Sequence, residues 1–129
     1  VDKLQNEFMQ KYILPFDSVS YEYDPMAGFI VWRMGTGGNA ELLHIRAYET
    51  REGHGRSLVY RMLDRLADQP PYHTVYGFSR VSNKRAGAFY KAVGFHLVPV
   101  DGIYKDGKAI MFWQEFSQLV RLQRRYLKL

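Results

Sequence analysis

Thr50-Arg51-Glu52-Gly53-His54-Gly55-Arg56-Ser57-Leu58-Val59 joins a strand-like run to an amphipathic helix of about three turns. Glycines at a strand-to-helix turn lack Cβ atoms, so a ligand can approach the main chain closely. The first N–H groups of the following helix have no intrahelical partner and carry partial positive charge. Arg51 and Arg56 flank the glycines. The stretch therefore reads as an anion site, for phosphate above all. A tight turn without a ligand is the plainer reading of the same residues.

The run before the loop, Ala40-Glu41-Leu42-Leu43-His44-Ile45-Arg46-Ala47, is ambiguous. Its propensities favour helix. Its length, and its place between the Gly35–Asn39 turn and the glycine loop, favour a strand. We take it as a strand, on which Glu41, Leu43 and Ile45 share one face by the two-residue repeat. After the loop, Arg56 to Asp68 reads as a helix, with Leu58, Met62 and Leu66 in one stripe and Val59 and Leu63 beside it. Pro70-Pro71 ends it. Upstream, Val19 to Tyr23 alternates as a half-buried strand, Asp24 to Gly28 is a turn, and Phe29 to Met34 is a β-branched, aromatic strand. Downstream, His73 to Phe78 is a strand, and Ser82 or Asn83 caps a helix that Gly94 closes. Phe95 to Val100 and Ala109 to Trp113 are strands, with Asp101-Gly102 and Asp106-Gly107 marking turns. The ends are helical. Asp2 to Leu14 carries Leu4, Phe8 and Tyr12 at every fourth position and stops at Pro15. Gln114 to Leu129 places Phe116, Leu119 or Val120, and Leu127 on one side. This order predicts an α/β chain with a single mixed, mostly antiparallel sheet flanked by helices.

The 129 residues suit one domain, residues 1–129, and 47% hydrophobic content argues against disorder. The net charge of +5 and pI near 9.5 point to anionic ligands or surfaces. The chain has no cysteine, which excludes disulfides, thiolate metal sites and a cysteine nucleophile and fits a reducing, cytoplasmic setting. No apolar run is long enough to span a membrane, and the first residues show no signal-peptide pattern.

A second stretch, Ser82-Asn83-Lys84-Arg85-Ala86-Gly87-Ala88-Phe89-Tyr90-Lys91-Ala92-Val93-Gly94-Phe95, lies some thirty residues beyond the glycine loop. Together the two resemble the GNAT superfamily of N-acyltransferases. That family carries Arg/Gln-x-x-Gly-x-Gly/Ala at the head of a helix, then an Asn followed by Ala, an aromatic–Tyr pair and Gly-Phe. Here these are Gly53 and Gly55, then Asn83, Ala86, Phe89-Tyr90 and Gly94-Phe95. Thr50 stands where the family has Arg or Gln, and Arg51 is one place later. The resemblance covers Ala40 to Phe95.

The resemblance implies splayed central strands and an acetyl-CoA site. The pyrophosphate would lie on the loop, over Arg51, Glu52, Gly53, His54, Gly55 and Arg56. The pantetheine arm would pair with the preceding strand at Leu43 and Ile45, in the manner of strand addition. The family often carries a β-bulge there, which splays two strands. Asn83 would contact the pantetheine or groups near it. The transfer would run directly from acetyl-CoA to a primary amine.

Such a transfer needs a deprotonated amine, an N–H donor for the oxyanion and a proton for the departing thiolate. The resemblance makes Tyr90 the candidate acid, because the family's matching Tyr reaches the cofactor sulfur; it follows Asn83 by seven residues on one helical face. Glu41 is the candidate base, acting through water. Solvent-facing Glu41 and core-filling Phe89 and Tyr90 are the ordinary alternatives, and Glu22 or a backbone carbonyl remains open as base. The single short N-terminal helix implies a shallow acceptor cleft, suited to a protein or peptide amine over a buried small molecule.

Other signals carry less. Gly35-Thr36-Gly37-Gly38-Asn39-Ala40 matches the Gly-x-Gly-x-x-Ala dinucleotide pattern, but a hairpin arm precedes it. Gly77 to Val81 lacks the last glycine of a nucleophile elbow and reads as a strand. His44, His73 and His96 read as strand or surface residues without metal-ligand spacing, and His54 as a loop residue within reach of phosphate. Arg121, Arg124, Arg125 and Lys128 form a basic helix end, either a solvated face or a dock for an acidic protein or RNA. A non-catalytic CoA-binding or basic adaptor module is the competing class.

Overall fold

Alternating apolar side chains build the first half of the sheet. β1 (Val19–Asp24) pairs with β2 (Gly28–Met34), and β2 with β3 (Ala40–Ala47), both antiparallel. This computed structural model describes residues 3–48, 53–68 and 73–129. The ambiguous run 40–47 is the strand β3. Pairing with β2 and burial of Ala40 and Leu42 override its helix propensity. From β3 the chain passes through α2 (His54–Ala67) to β4 (Thr74–Arg80), which lies parallel to β3. α3 (Lys84–Val93) leads to the hairpin of β5 (His96–Tyr104) and β6 (Gly107–Glu115), followed by α4 (Phe116–Leu127). The sheet order is β1-β2-β3-β4-β6-β5, and every pairing except β3–β4 is antiparallel among the described residues. No helix among the described residues is long and apolar enough to cross a membrane. Pro70-Pro71 lies outside the described residues.

The two faces of the sheet carry separate cores. Ile30, Trp32, Leu42 and Val75 pack with the stripe of α2 (Leu58, Val59, Met62, Leu63, Leu66) and with Tyr90 and Val93 of α3. On the other face Phe29 and Val31 pack against Phe8, with Tyr12, Tyr21, Tyr23 and Leu43 around them. The N-terminal helix is shorter than its periodicity suggests. α1 spans Lys3–Phe8, and Met9–Ile13 winds into a π-helical turn. Phe8 anchors it, while Leu4 stays 55% exposed.

Two further expectations change. Asp101-Gly102 does not turn the chain; it lies inside β5, where Gly102 at φ +84° sits in a pairing irregularity between Val100 and Tyr104. The hairpin turns instead at Asp106-Gly107, between paired Tyr104 and Gly107. In α4, Leu119 is buried but Leu127 is 48% exposed. The inner face continues through Leu122, packed on Gly94, and buried Gln123, whose Nε2 donates to Asp64 Oδ1 at 3.0 Å. A side-chain amide with a carboxylate partner is tolerated where an apolar residue was expected.

One irregularity governs the site. Trp32 pairs with Leu42 and Val31 with His44, so Leu43 is an extra residue in β3. This bulge breaks the two-residue repeat. Glu41 and Leu43 lie on the α1 face, opposite Arg33 and beside Val31, whereas Ile45 faces the α2 core. The expectation that Glu41, Leu43 and Ile45 share one face is thereby corrected.

Candidate active site

β3 and β4 pair only at Ala40–Val75 and Glu41–Tyr76, and then part. Gly77, next on β4, has no room for a Cβ, which would strike the Phe112 ring and lie 2.7 Å from the Leu42 carbonyl oxygen. Beyond this point opens a cleft of about 770 Å³. It is lined from the α1 face by Tyr12, Leu43 and His44, and from the other by Ile45, Gly53, Gly55, Arg56, Asn83, Phe89 and Tyr90. The cleft therefore runs through the sheet from one core to the other.

Four arginines line it, Arg46, Arg56, Arg80 and Arg85, with no Asp or Glu among the described lining residues. Sequence spacing singled out only Arg56. Arg46, Arg80 and Arg85 come from β3, β4 and α3, and the excess of basic residues was the one signal of them. Arg80 is partly engaged, donating to Asp106 Oδ1 at 2.6 Å and lying over the Tyr104 ring.

The glycine loop serves the cleft in two ways. Gly53 holds φ +72° at the N-cap of α2 and offers no side-chain cap to the first N–H groups of the helix, which have no intrahelical partner. Gly55, which lines the cleft, also serves packing. A Cβ there would meet the Phe89 ring at 2.8 Å, so its bareness lets α2 and α3 approach. Asn83 caps α3, its Oδ1 accepting from the Ala86 N–H at 3.1 Å. Arg51 and Glu52 lie outside the described residues. His54 begins α2 away from the lining, and its Nδ1 is buried without a partner.

Tyr90 lies flat on Phe112, ring centroids 3.6 Å apart, and is 6% exposed. Burial raises its phenol above the ordinary value, with a further push from Tyr104. It therefore stays protonated well past neutral pH. Glu41 is placed outside the cleft lining, its Oε1 3.0 Å from Arg33. His44, set aside on sequence grounds, lines the cleft instead, with Tyr12 tilted against its ring at 5.0 Å. Burial, and then the Lys11 charge, hold its imidazole below the usual histidine range, so it is neutral at pH 7. A second hollow of about 210 Å³ adjoins it, lined by Tyr12, Phe16, Asp17, Arg33, Leu43 and His44 among others.

The cleft fits a long polyanionic ligand with an amide-bearing arm. Uncapped helix amides and arginines suit phosphates at one end. The Ser79 Oγ, buried without a partner on a cleft-lining residue, and the unpaired stretch of β3 suit amides along its length.

This sheet, split between a bulged strand and its parallel neighbour, is the acyl-CoA N-acyltransferase fold, which solved GNAT-family structures share. No protein-family model matches the chain, and no curated protein matches it in sequence. Solved structures do. Ard1 from Thermoplasma volcanium shares 28% identity at a TM-score of 0.60, over 69% of this chain and 62% of that one. The ribosomal-protein-S18-alanine N-acetyltransferase of Escherichia coli shares 24% at 0.61, over 78% and 71%. Arabidopsis thaliana NAA60, in complex with acetyl-CoA, shares 17% at 0.66, over 86% and 83%. The chain thus spans less than two thirds of the Ard1 structure's length.

Proposed function

We propose that this chain is an acetyl-CoA-dependent N-acetyltransferase acting on a primary amine. The observation that carries the reading is the arginine-lined cleft through the gap between β3 and β4. Acetyl-CoA would supply the acetyl group as an activated thioester. Gly53, Gly55, Arg56 and the first amides of α2 would hold its phosphates, and Leu43, Ile45 and Asn83 would flank its arm. Arg51 and Glu52 complete the proposed loop.

In the transfer a C–N bond forms, the C–S bond breaks, and a proton leaves the amine while another reaches the sulfur. Tyr90 is the proposed proton donor to the thiolate. The burial that keeps its phenol protonated also makes it a weak acid, so donation is effective only as charge develops on sulfur. On the acceptor side we place His44 ahead of Glu41. His44 is neutral and borders the cleft, whereas the Glu41 carboxylate is held by Arg33. The second hollow beside His44 suits the acceptor amine. Among the described residues, α1 and one π turn cover this side, which supports a protein or peptide acceptor over a buried small molecule.

The test is thiol release from acetyl-CoA over a panel of amines and peptides, compared between wild type and Tyr90→Phe. Acetyl transfer that Tyr90→Phe abolishes supports the reading. Tight CoA binding with no transfer to any acceptor would make the chain a binding module. Steeply salt-dependent RNA affinity, untouched by saturating CoA, would make it an RNA-binding protein. A single tight small-molecule acceptor would refute the peptide preference.

A further inference from the structure

The C-terminal helix reaches the lip of the cleft. Tyr126, in the last turn of α4, lies under the Arg56 guanidinium with its ring centroid 4.3 Å from Cζ. The same guanidinium donates from Nη1 to the Tyr60 hydroxyl and from Nη2 to the Ala92 carbonyl, each at 3.2 Å. Tyr60 also meets the Tyr126 ring edge-on at 5.9 Å. Arg56 is thus gripped by α2, by the C-terminal end of α3 and by α4.

Two observations make this more than packing. Arg56 stands in the first turn of α2, where the helix dipole opposes a cation, and no acidic residue in that turn offsets it. Tyr126 is 58% exposed, a large ring kept at the surface with Arg56 and Tyr60 as its ring partners. A positive group held against an unfavourable dipole on a residue that lines the cleft is preorganised for an anion.

We propose that Tyr126 is a positioning residue that holds Arg56 ready for the phosphates of coenzyme A. This rests on the reading of the cleft as a CoA site. It gives the basic C-terminal helix a role in cofactor binding in place of docking to RNA or an acidic protein.

Calorimetric titration with CoA tests it without an acceptor. Tyr126→Ala is expected to weaken CoA binding by about three- to fivefold, the size of a surface cation–π contact. Tyr126→Phe keeps the ring and is expected to bind as wild type does. In an Arg56→Ala background, Tyr126→Ala is expected to change nothing further. Unaltered binding by Tyr126→Ala, or equal weakening with and without Arg56, overturns the proposal. Failure of the wild type to bind CoA at millimolar concentration overturns the cofactor reading itself, whatever Tyr126 does.

Discussion

Tyr90 and Phe112 are stacked with their planes 11° apart, so the proposed acid is also a core residue. The two roles separate by substitution. Tyr90→Phe keeps the ring contact and removes the proton. It is expected to lower kcat by about 100-fold or more, with an unchanged melting temperature. Tyr90→Ala removes the ring and is expected to cost about 3–5 kcal/mol of stability in chemical denaturation. A Tyr90→Phe enzyme with full kcat would reduce Tyr90 to packing.

The acceptor-side base is distinguished by pH. A neutral base is lost as pH falls through its folded pKa, which for His44 lies below the ordinary histidine value. The acid limb of kcat/KM is therefore expected below that value in wild type and absent in His44→Gln. Lys11→Met, which removes a cation opposing imidazole protonation, is expected to move the limb upward. Glu41→Gln is expected to change kcat little, and to cost less than about 1 kcal/mol, because its Arg33 partner is half exposed. Loss of activity in Glu41→Gln with His44→Gln active would restore Glu41 as the base.

Gly77 is where the two diverging strands stay in touch. Gly77→Val would push side-chain atoms into Phe112 and the Leu42 carbonyl. Overpacking of this kind is expected to cost at least about 1–3 kcal/mol, read as a lowered denaturation midpoint. A neutral Gly77→Val would mean that the strands separate freely there.

Stability at low pH is expected to depend on Asp24. The Met26 amide hydrogen-bonds its carboxylate and, against the opposing desolvation, holds it below the ordinary aspartate value; the Arg61 side chain and the Ala27 amide add smaller effects in the same direction. A depressed carboxyl contributes stability that is complete above the unfolded pKa and lost as pH falls through the folded one. Asp24→Asn is expected to cost about 1 kcal/mol at pH 7, with the difference from wild type shrinking as pH falls below the ordinary aspartate range. Parallel stability curves for the two proteins down to pH 2 would contradict this.

Much of this molecule could be read locally. The stripe of α2, the Asn83 cap, the Gly94 stop and the alternation of β1 and β2 depend on neighbours within a few residues, and side-chain periodicity reports such neighbours directly. The motif residues Gly53, Gly55, Asn83 and Tyr90 were legible through the family resemblance, and the structure brings them to one cleft. The reach of β5 through Gly102, and of α4 past Leu122, was not legible, because pairing partners and packing faces set it.

The sequence by itself determined the elements, their order and the anion-seeking loop, since these follow from local propensity and spacing. Only the tertiary structure decided which side chains share the cleft. The extra residue at Leu43 puts Ile45 on the face opposite Glu41, which stays paired with Arg33, and leaves His44 at the gap. Arg46, Arg80 and Arg85 converge with Arg56 from separate elements, and Tyr126 reaches it from the end of the chain. A bulge shifts every later side chain to the other face, and distant charges meet only after the sheet has formed; neither leaves a periodic trace in the chain.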